Sequence, residues 1–218
     1  TQGNRLGCLD TDGDGWDDTI DALPNLETQW LDQDGDGYGD NATGIQPDAC
    51  PGEAGTSTVP YGCVDDDGDG YANSTDDFPN DPTRWNDSDG DGYDDVEDAC
   101  PLISGNSSQD RLGCLDSDGD GFSNPTLPVG NTSGWNVSDG ADAFPDEPSQ
   151  IVDSDGDGYG DNASGVQPDA CPTDAGFSTV DRFGCTDEDG DGTSDANDAF
   201  LGEPSQWTDS DGDGYGDN

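Results

Sequence analysis

Residues 10–21 read Asp-Thr-Asp-Gly-Asp-Gly-Trp-Asp-Asp-Thr-Ile-Asp, and this stretch decides the fold. Its first six residues follow the pattern Asp-x-Asp-Gly-Asp-Gly, which occurs eight times in the chain of 218 residues. Repetition of a short motif at this density indicates a tandem array. We call the copies loops 1 to 8, number each loop from its first Asp, and list their starts as Asp10, Asp32, Asp65, Asp87, Asp116, Asp153, Asp187 and Asp209.

The composition argues against a conventional hydrophobic core. Leu, Ile, Val and Phe together number 28 of 218 residues, and the formal net charge is −49. Such values are typical of intrinsically disordered chains. Burial of so few apolar side chains cannot offset the conformational entropy that is lost when the chain orders. Either the chain is disordered, or something other than the polypeptide supplies the missing free energy.

Several classes of function are excluded by the residues that the chain lacks. There is no His and no Lys, so a His general base, a His-ligated zinc site and a Schiff-base lysine are all impossible. Only four basic residues stand against 53 acidic ones, a balance that repels nucleic acid and anionic membrane surfaces. No apolar run is long enough to span a bilayer. We therefore expect no enzyme, no nucleic-acid partner and no membrane insertion.

The spacing of the acids within a loop predicts a calcium site. In loop 1 carboxylates stand at positions 1, 3, 5, 9 and 12, Gly15 occupies position 6 where the chain turns sharply, and Trp16 at position 7 offers its backbone carbonyl. These positions supply the oxygen ligands of calcium in a 12-residue loop, and calcium tolerates six to eight oxygens in loose geometry. Magnesium is the weaker candidate, because it prefers a smaller octahedron and retains water. The preference for Asp, 47 residues against 6 Glu, supports coordination over a merely soluble surface.

Loops 4 and 7 match loop 1 position for position, and loop 3 has an Asn at position 9. Loops 2 and 6 carry five extra residues before the closing acid, loop 5 carries fifteen, and loop 8 stops before its closing acid, so the closing ligands of loops 2, 5, 6 and 8 are left open. We expect eight sites or more. The predicted ligands of loops 1 to 4 are Asp10, Asp12, Asp14, Trp16, Asp18, Asp21; Asp32, Asp34, Asp36, Tyr38, Asp40, Asp48; Asp65, Asp67, Asp69, Tyr71, Asn73, Asp76; and Asp87, Asp89, Asp91, Tyr93, Asp95, Asp98. Those of loops 5 to 8 are Asp116, Asp118, Asp120, Phe122, Asn124, Asp142; Asp153, Asp155, Asp157, Tyr159, Asp161, Asp169; Asp187, Asp189, Asp191, Thr193, Asp195, Asp198; and Asp209, Asp211, Asp213, Tyr215, Asp217.

The segments between the loops predict an elongated, mostly irregular array with little helix or strand. Pro follows the closing acid within two or three residues in most copies, which blocks the exiting helix of an EF-hand and equally disfavours a dockerin. In all four odd-numbered loops the closing acid lies 11 residues before the next motif, so we expect a connector with packing of its own. The even-numbered loops end instead in Asp-Ala-Cys-Pro, as at residues 48–51, 98–101 and 169–172.

This alternation resembles the thrombospondin type 3 repeat, and the resemblance covers nearly the whole chain. The connectors that run from Asp-Ala-Phe-Pro to Gln-Trp or its variants are similar to those of surface proteins of marine archaea and bacteria. The resemblance implies an extended array whose core is formed by calcium ions, often more than one in each repeat. The copies without cysteine and the inserts after Asn41, Asn124 and Asn162 depart from that pattern and leave the number of ions open.

Seven cysteines without zinc-type spacing indicate disulfides, with redox or metal thiolates as the alternative. Neighbouring cysteines would pair, and such bonds imply an oxidising, extracellular setting. Cys8 is the odd one, and we expect its partner to lie upstream of the first residue. The predicted pairs are Cys50 with Cys63, Cys100 with Cys114, and Cys171 with Cys185.

Sequons for N-glycosylation occur several times, and Asn41 and Asn162 are favoured because they share one position in the repeat. Asn73 is disfavoured, since its amide oxygen is a candidate ligand. The aromatic side chains at position 7 are expected to pack on neighbouring connectors, with a sugar-binding or self-association stripe as the alternative. The predicted glycosylation sites are Asn41, Asn162, Asn106, Asn131, Asn136 and Asn86.

Two larger units, 1–107 and 108–218, follow from the recurrence of Arg-Leu-Gly-Cys-Leu-Asp at residues 5–10 and 111–116. We expect an extracellular or cell-surface calcium-binding structural protein, forming a rigid stalk, matrix component or fibre. Self-association into a fibre and covalent glycans are left open. The alternatives are a calcium-dependent adhesin for glycans or protein and a spacer attached to a catalytic domain.

Overall fold

The chain is almost entirely irregular. The computed structural model describes residues 7–126 and 134–217. Within these ranges the one regular helix is a 3-10 turn at Val137–Asp139. Extended pairing is limited to isolated bridges, parallel between Gly39 and Pro47, Val59 and Tyr71, and Gly160 and Pro168, and antiparallel between Thr58 and Tyr61. The prediction of a loop-rich chain with little helix or strand is confirmed.

Contacts between residues divide the chain into two units, Thr1–Ser88 and Asp89–Asn218. The fourth motif begins in the first unit and ends in the second. The units 1–107 and 108–218 that sequence repetition indicates remain a prediction.

The described residues bury polar groups rather than apolar ones. Their buried apolar residues are small: Cys63, Ala72, Cys114, Ala141 and Cys185. Many large apolar side chains stay exposed, among them Leu9, Val96, Leu102 and Phe177. The side chains with the least exposure include several acids and two glutamines, so the described part of the chain has no conventional hydrophobic core, as predicted.

In loops 2, 3, 5, 6, 7 and 8 the turn is closed by hydrogen bonds from backbone amides, which the glycines make possible. In loop 3 the amides of Gly68 and Gly70 donate to the two carboxylate oxygens of Asp65, at 2.7 and 3.1 Å. Both glycines have positive φ angles, 84° and 100°, which residues with a Cβ adopt only with strain. The amide of Asn73 then donates to the carbonyl of Val64 at 2.8 Å and brings the ends of the turn together. The same three bonds recur in loops 2, 5, 6, 7 and 8.

The connectors after the odd-numbered loops fold back on themselves. The residue after the closing acid donates its amide to a carbonyl near the end of the connector, as in Ala22 to Trp30 at 3.2 Å and Ala143 to Ile151 at 2.8 Å. After loops 1 and 3 the Trp at that end stacks on the ring at position 7 of the preceding loop. The ring centroids lie 6.3 Å apart for Trp16 and Trp30 and 5.2 Å apart for Tyr71 and Trp85. The expected connector with its own packing is confirmed.

The segments after loops 2, 4 and 6 are hairpin-like turns closed by disulfides. Cys50 bonds to Cys63, Cys100 to Cys114 and Cys171 to Cys185, which confirms all three predicted pairs. A buried serine organises each turn, and in the first one the Ser57 hydroxyl accepts a hydrogen bond from the amide of Cys63 at 2.9 Å. Cys8 is exposed and forms no disulfide within the described residues.

Candidate metal centres

The acids at positions 1, 3 and 5 of a loop converge on one point. In each triplet one carboxylate oxygen per residue lies within 4.8 Å of the other two. The convergence follows from the two glycines, because the turn that they allow bends alternate side chains to the same side. The triplets brought together in this way include Asp10, Asp12, Asp14; Asp32, Asp34, Asp36; Asp65, Asp67, Asp69; and Asp116, Asp118, Asp120.

At position 3 of loops 1, 2, 3, 5, 6 and 7, and at position 5 of loops 1, 3, 5 and 7, at least one buried carboxylate oxygen accepts no hydrogen bond. In loop 3 Oδ1 of Asp67 accepts from the amide of Asp69 at 3.1 Å, and Oδ1 of Asp69 accepts from Tyr71 at 2.7 Å. The second oxygen of each is buried and accepts no hydrogen bond. A buried carboxylate oxygen without a partner is costly, which is why buried charges are normally paired or coordinate a metal. Across the described residues such oxygens belong, at these two positions, to Asp12, Asp14, Asp34, Asp67, Asp69, Asp118, Asp120, Asp155, Asp189 and Asp191.

The closing acids point into the same space. In each closing acid Oδ1 accepts a hydrogen bond from the backbone amide two residues further on, as Asp76 does from Phe78 at 2.7 Å. Its Oδ2 is buried and accepts no hydrogen bond, and the same holds for Asp48, Asp142 and Asp169. In loops 3 and 5 the unpartnered oxygens therefore come from three places in the sequence, namely position 3, position 5 and the closing acid. The acids that the sequence left open as closing ligands in loops 2, 5 and 6 all take this position.

Burial and mutual repulsion raise the pKa of several closing acids. Burial is the larger cause and the facing carboxylates of the same loop add to it, so that the pKa of Asp21, Asp48, Asp76 and Asp169 is raised above its ordinary value. The effect is largest for Asp142, which is fully buried: burial, followed by repulsion from the loop 5 triplet, raises its pKa to about 6. A cation among these acids would remove the cause of the repulsion.

Loop 5 reaches Asp142 across the longest insertion in the chain. The amide of Asp142 donates to the carbonyl of Ser123 at 3.1 Å, so the two ends of the excursion meet beside the triplet. Residues 127–133 of the excursion lie outside the described ranges. The structure thus brings Asp142 into the loop even though more than twenty residues separate it from Asp116.

Two sets of glycines that the sequence analysis passed over also shape the sites. The glycine before the second cysteine of each disulfide packs on a closing acid, and a Cβ on Gly62 would overlap the carboxylate of Asp48. A second glycine lies five residues after the first cysteine of each pair, and its amide donates to the position 5 acid. Gly55 donates to Oδ2 of Asp36 and Gly176 to Oδ2 of Asp157, both at 3.0 Å. The constant spacing of these glycines from cysteine was the signal available in the sequence.

The side chain at position 9 bonds to position 2 of its own loop. The Asp18 carboxylate accepts from the amide of Thr11 at 2.8 Å and from its hydroxyl at 2.6 Å. Where position 2 is Asp66, position 9 is Asn73, whose amide nitrogen donates to that carboxylate at 2.8 Å. These contacts close the loop, and a direct role of position 9 as a cation ligand stays a prediction. The same pairing is made by Asp40, Asn124, Asp161, Asp195 and Asp217.

Four of the rings at position 7, those of Trp16, Tyr38, Tyr71 and Tyr159, pack on other rings of the chain as expected, whereas Tyr215 is exposed. Tyr38 lies 5.3 Å from Tyr61, and Tyr159 lies 5.7 Å from Phe183, between ring centroids. In each pair the second ring comes from the disulfide-closed turn, close before its Gly-Cys. Packing of the ring fixes the backbone at position 7, where a carbonyl ligand is predicted.

The two favoured sequons take part in hydrogen bonds through the atom that glycosylation would modify. Nδ2 of Asn41 donates to the carbonyl of Thr28 at 2.8 Å, and Nδ2 of Asn162 donates to that of Ser149 at 2.7 Å. The predicted sites at Asn86, Asn106 and Asn136 are exposed, and Asn131 lies outside the described residues. Glycosylation at any of these positions remains a prediction.

The donor set suits a hard divalent cation. The unpartnered atoms at positions 3 and 5 and on the closing acids are all carboxylate oxygens, and these are the ligands that calcium and magnesium prefer over softer metals. In loop 3, Asp65, Asp67, Asp69 and Asp76 would hold the ion, and the carbonyl of Tyr71 is a further candidate. The chain therefore contains repeated groups of acids that could bind metal.

No protein-family model matches the chain, and no curated protein matches its sequence. The resemblance to the thrombospondin type 3 repeat thus rests on the motifs alone. Within residues 7–126 and 134–217, no helix has the length and apolar character needed to cross a membrane.

Proposed function

We propose that the chain is an extracellular calcium-binding structural repeat protein, a segment of a stalk, matrix or fibre whose interior is made of bound calcium ions. The observation that carries the proposal is the set of buried carboxylate oxygens without partners, which in loops 3 and 5 come from position 3, position 5 and the closing acid of the same loop. No other group among the described residues compensates these oxygens. A cation in the loop would do so.

The charge of the chain supports coupling between folding and cation binding. Eight divalent ions contribute +16 to the formal charge of −49, which leaves −33. Without the ions the acids of each loop repel one another at close range, and the apolar burial that could oppose this repulsion is absent. Because the ligand set exists only in the folded loop, the free energy of binding becomes free energy of folding.

Calcium is the ion that the loops favour. The closing acids arrive from different distances along the chain in loops 2, 3 and 5, so the sites tolerate variation in geometry. Calcium accepts such variation, whereas magnesium demands a near-ideal octahedron. Dissociation constants of about 10⁻⁴–10⁻³ M, typical of extracellular modules, would suffice in a calcium-rich medium.

The disulfides support an extracellular location, since such bonds persist in oxidising compartments. The packing of the aromatic rings supports a structural role over that of an adhesin. Trp16, Tyr38, Tyr71 and Tyr159 pack against neighbouring rings, which makes those rings less available to a sugar-binding stripe.

Small-angle X-ray scattering of the full chain with its disulfides intact tests the proposal. We expect the radius of gyration to rise when EDTA replaces millimolar calcium, and to fall again when calcium is restored. A sodium chloride series at matched ionic strength controls for simple screening of the charges. The proposal fails if the radius of gyration is the same in calcium and in EDTA.

A further inference from the structure

We propose that Gln29 and Gln150 are positioning residues for the cation sites of loops 2 and 6. Each glutamine holds the inserted segment that carries the closing acid of the following loop, Asp48 or Asp169. The inference rests on the proposed function, because it concerns how a loop with five extra residues can still present a complete ligand set.

The side chain of Gln29 is buried completely, and all its polar groups are used. Nε2 donates to the carbonyls of Asn41 at 3.1 Å and Ile45 at 3.2 Å, and Oε1 accepts from the amide of Asn41 at 2.9 Å. These partners lie 12 and 16 residues further along the chain, inside the insert of loop 2. The connector before loop 2 is therefore hydrogen-bonded to the insert through the side chain of Gln29.

The neighbouring residue adds two more bonds to the same segment. The carbonyl of Thr28 accepts from Nδ2 of Asn41 at 2.8 Å, and its hydroxyl oxygen accepts from the amide of Ile45 at 2.8 Å. Two glycines of loop 2 make room for the glutamine, since a Cβ on either Gly39 or Gly44 would overlap it. We call these five hydrogen bonds between residues 28–29 and the insert the glutamine latch.

The second unit contains an independent copy of the latch. Gln150 is 1% exposed, and its Nε2 donates to the carbonyls of Asn162 and Val166 at 3.2 and 3.1 Å. Its Oε1 accepts from the amide of Asn162 at 3.0 Å. Ser149 stands in the place of Thr28, and its hydroxyl accepts from the amide of Val166 at 2.8 Å. Because the whole arrangement recurs in a separate unit, we infer that its role is to hold the insert of the loop in place.

The latch acts on the closing acid through a short segment. The amide of Asp48 donates to the carbonyl of Gly39 at 2.9 Å, and Gly39 also pairs with Pro47 in a parallel bridge. With the insert held against the connector, these contacts place the carboxylate of Asp48, whose Oδ2 has no partner, beside Asp36 of the loop 2 triplet. A free insert would have to lose its conformational entropy each time an ion bound.

The sequence contains a natural comparison. Loop 4 has no insert, and the residue three positions before it is Arg84 instead of glutamine. Arg84 places its guanidinium 3.8 Å from the centroid of the Phe78 ring. Position 8 of loop 4 is Asp94, where the latched loops have Gly39 and Gly160. Among loops 2, 4 and 6, the glutamine, the glycine and the five-residue insert thus occur together in loops 2 and 6 and are absent together from loop 4.

The latch also ties each loop to the one before it. Trp30 follows Gln29, stacks on Trp16 of loop 1, and accepts a hydrogen bond from Ala22, the residue after the closing acid Asp21. Contacts with loop 1 therefore fix the position of Gln29, and the side chain of Gln29 in turn fixes the position of the closing acid of loop 2. Loops 1 and 2 in one unit, and loops 5 and 6 in the other, form coupled pairs.

Hydrogen exchange measured by mass spectrometry across a series of free calcium concentrations tests the inference on the full chain. The readout is the calcium midpoint for protection of a peptide spanning 39–48, compared with that of the loop 3 peptide 65–76 in the same molecule. For Gln29→Ala we expect the first midpoint to rise about tenfold or more, because several hydrogen bonds are lost, while the second stays unchanged. Gln109→Ala removes an exposed glutamine outside the loops and serves as the matched control.

A milder pair of variants keeps the inference testable if Gln29→Ala fails to fold. Thr28→Val deletes the hydroxyl that accepts from Ile45 and should raise the loop 2 midpoint, whereas Thr28→Ser, which copies Ser149, should leave it at the wild-type value. Unchanged midpoints in Gln29→Ala and Thr28→Val, or equal shifts in both peptides, overturn the latch. Wild-type protein whose loops gain no protection in calcium overturns the proposed function instead.

Discussion

Aspartate is suited to these loops because each of its two oxygens has a separate task. Oδ1 accepts a backbone amide two residues on and so shapes the turn, as Asp69 does with Tyr71. At position 5 of loops 1, 3, 5 and 7, Oδ2 is buried and accepts no hydrogen bond. The shorter side chain makes both contacts from one short turn, which explains the excess of Asp over Glu.

Asp142 offers the sharpest test of a closing acid. Asp142→Asn keeps the oxygen that accepts from Phe144 but removes the charge that faces the loop 5 triplet. We expect the free energy of unfolding in saturating calcium to fall by about 1–3 kcal/mol, as for a lost buried charge-assisted contact. Denaturant unfolding at fixed free calcium measures the change.

Asp146→Asn is the matched control, since Asp146 is exposed and lies outside the loop. It should alter the free energy of unfolding by less than about 0.5 kcal/mol. Equal effects of the two substitutions, or a more stable Asp142→Asn protein in calcium, would contradict the assignment of Asp142 as a ligand.

At the scale of the elements, the loops could be predicted from sequence and the contacts between them could not. The convergence of Asp65, Asp67 and Asp69 depends only on alternate residues and two glycines, so the spacing fixes it. The latch depends on contacts between residues 12 to 17 apart, which no local pattern encodes. The sequence contains one signal for the latch, a glutamine three residues before a loop that has glycine at position 8. This signal can be recognised only when loops 2 and 6 are compared with loop 4.

The closing contact of loop 5 was likewise beyond prediction from a local sequence pattern. Asp142 was a candidate closing ligand of loop 5, but an insertion of fifteen residues precedes it. The spacing alone could not show whether the chain returns to the loop after that insertion. The return depends on the hydrogen bond between Asp142 and Ser123. The disulfides, in contrast, followed from neighbouring cysteines in a repeat and were predicted in full.

The disulfide-closed turns should stabilise the adjacent closing acids. Cys50 lies two residues after Asp48, and Gly62, before Cys63, packs on that acid. Replacing both cysteines with serine should lower the free energy of unfolding in calcium by about 3 kcal/mol, as expected for a closed segment of this length. Guanidinium unfolding measures the loss, and Cys8→Ser, at the free and exposed cysteine, is the control. If the double variant is as stable as Cys8→Ser, the turns do not support the sites.

At the scale of the whole molecule, the chain reverses the usual relation between interior and surface. Among the described residues, 17 buried residues are polar or charged and five are apolar, whereas large apolar side chains lie exposed. Such an interior is stable only if its charges are compensated. The net charge of −49 shows that the polypeptide cannot provide that compensation itself.

The most direct measurement is a crystal structure of the chain grown in calcium, with an anomalous difference map. The account predicts a peak in each loop, about 2.3–2.6 Å from the carboxylate oxygens of positions 1, 3 and 5 and of the closing acid. Well-ordered loops that hold water or nothing at those points, in a chain that keeps its fold, would contradict it.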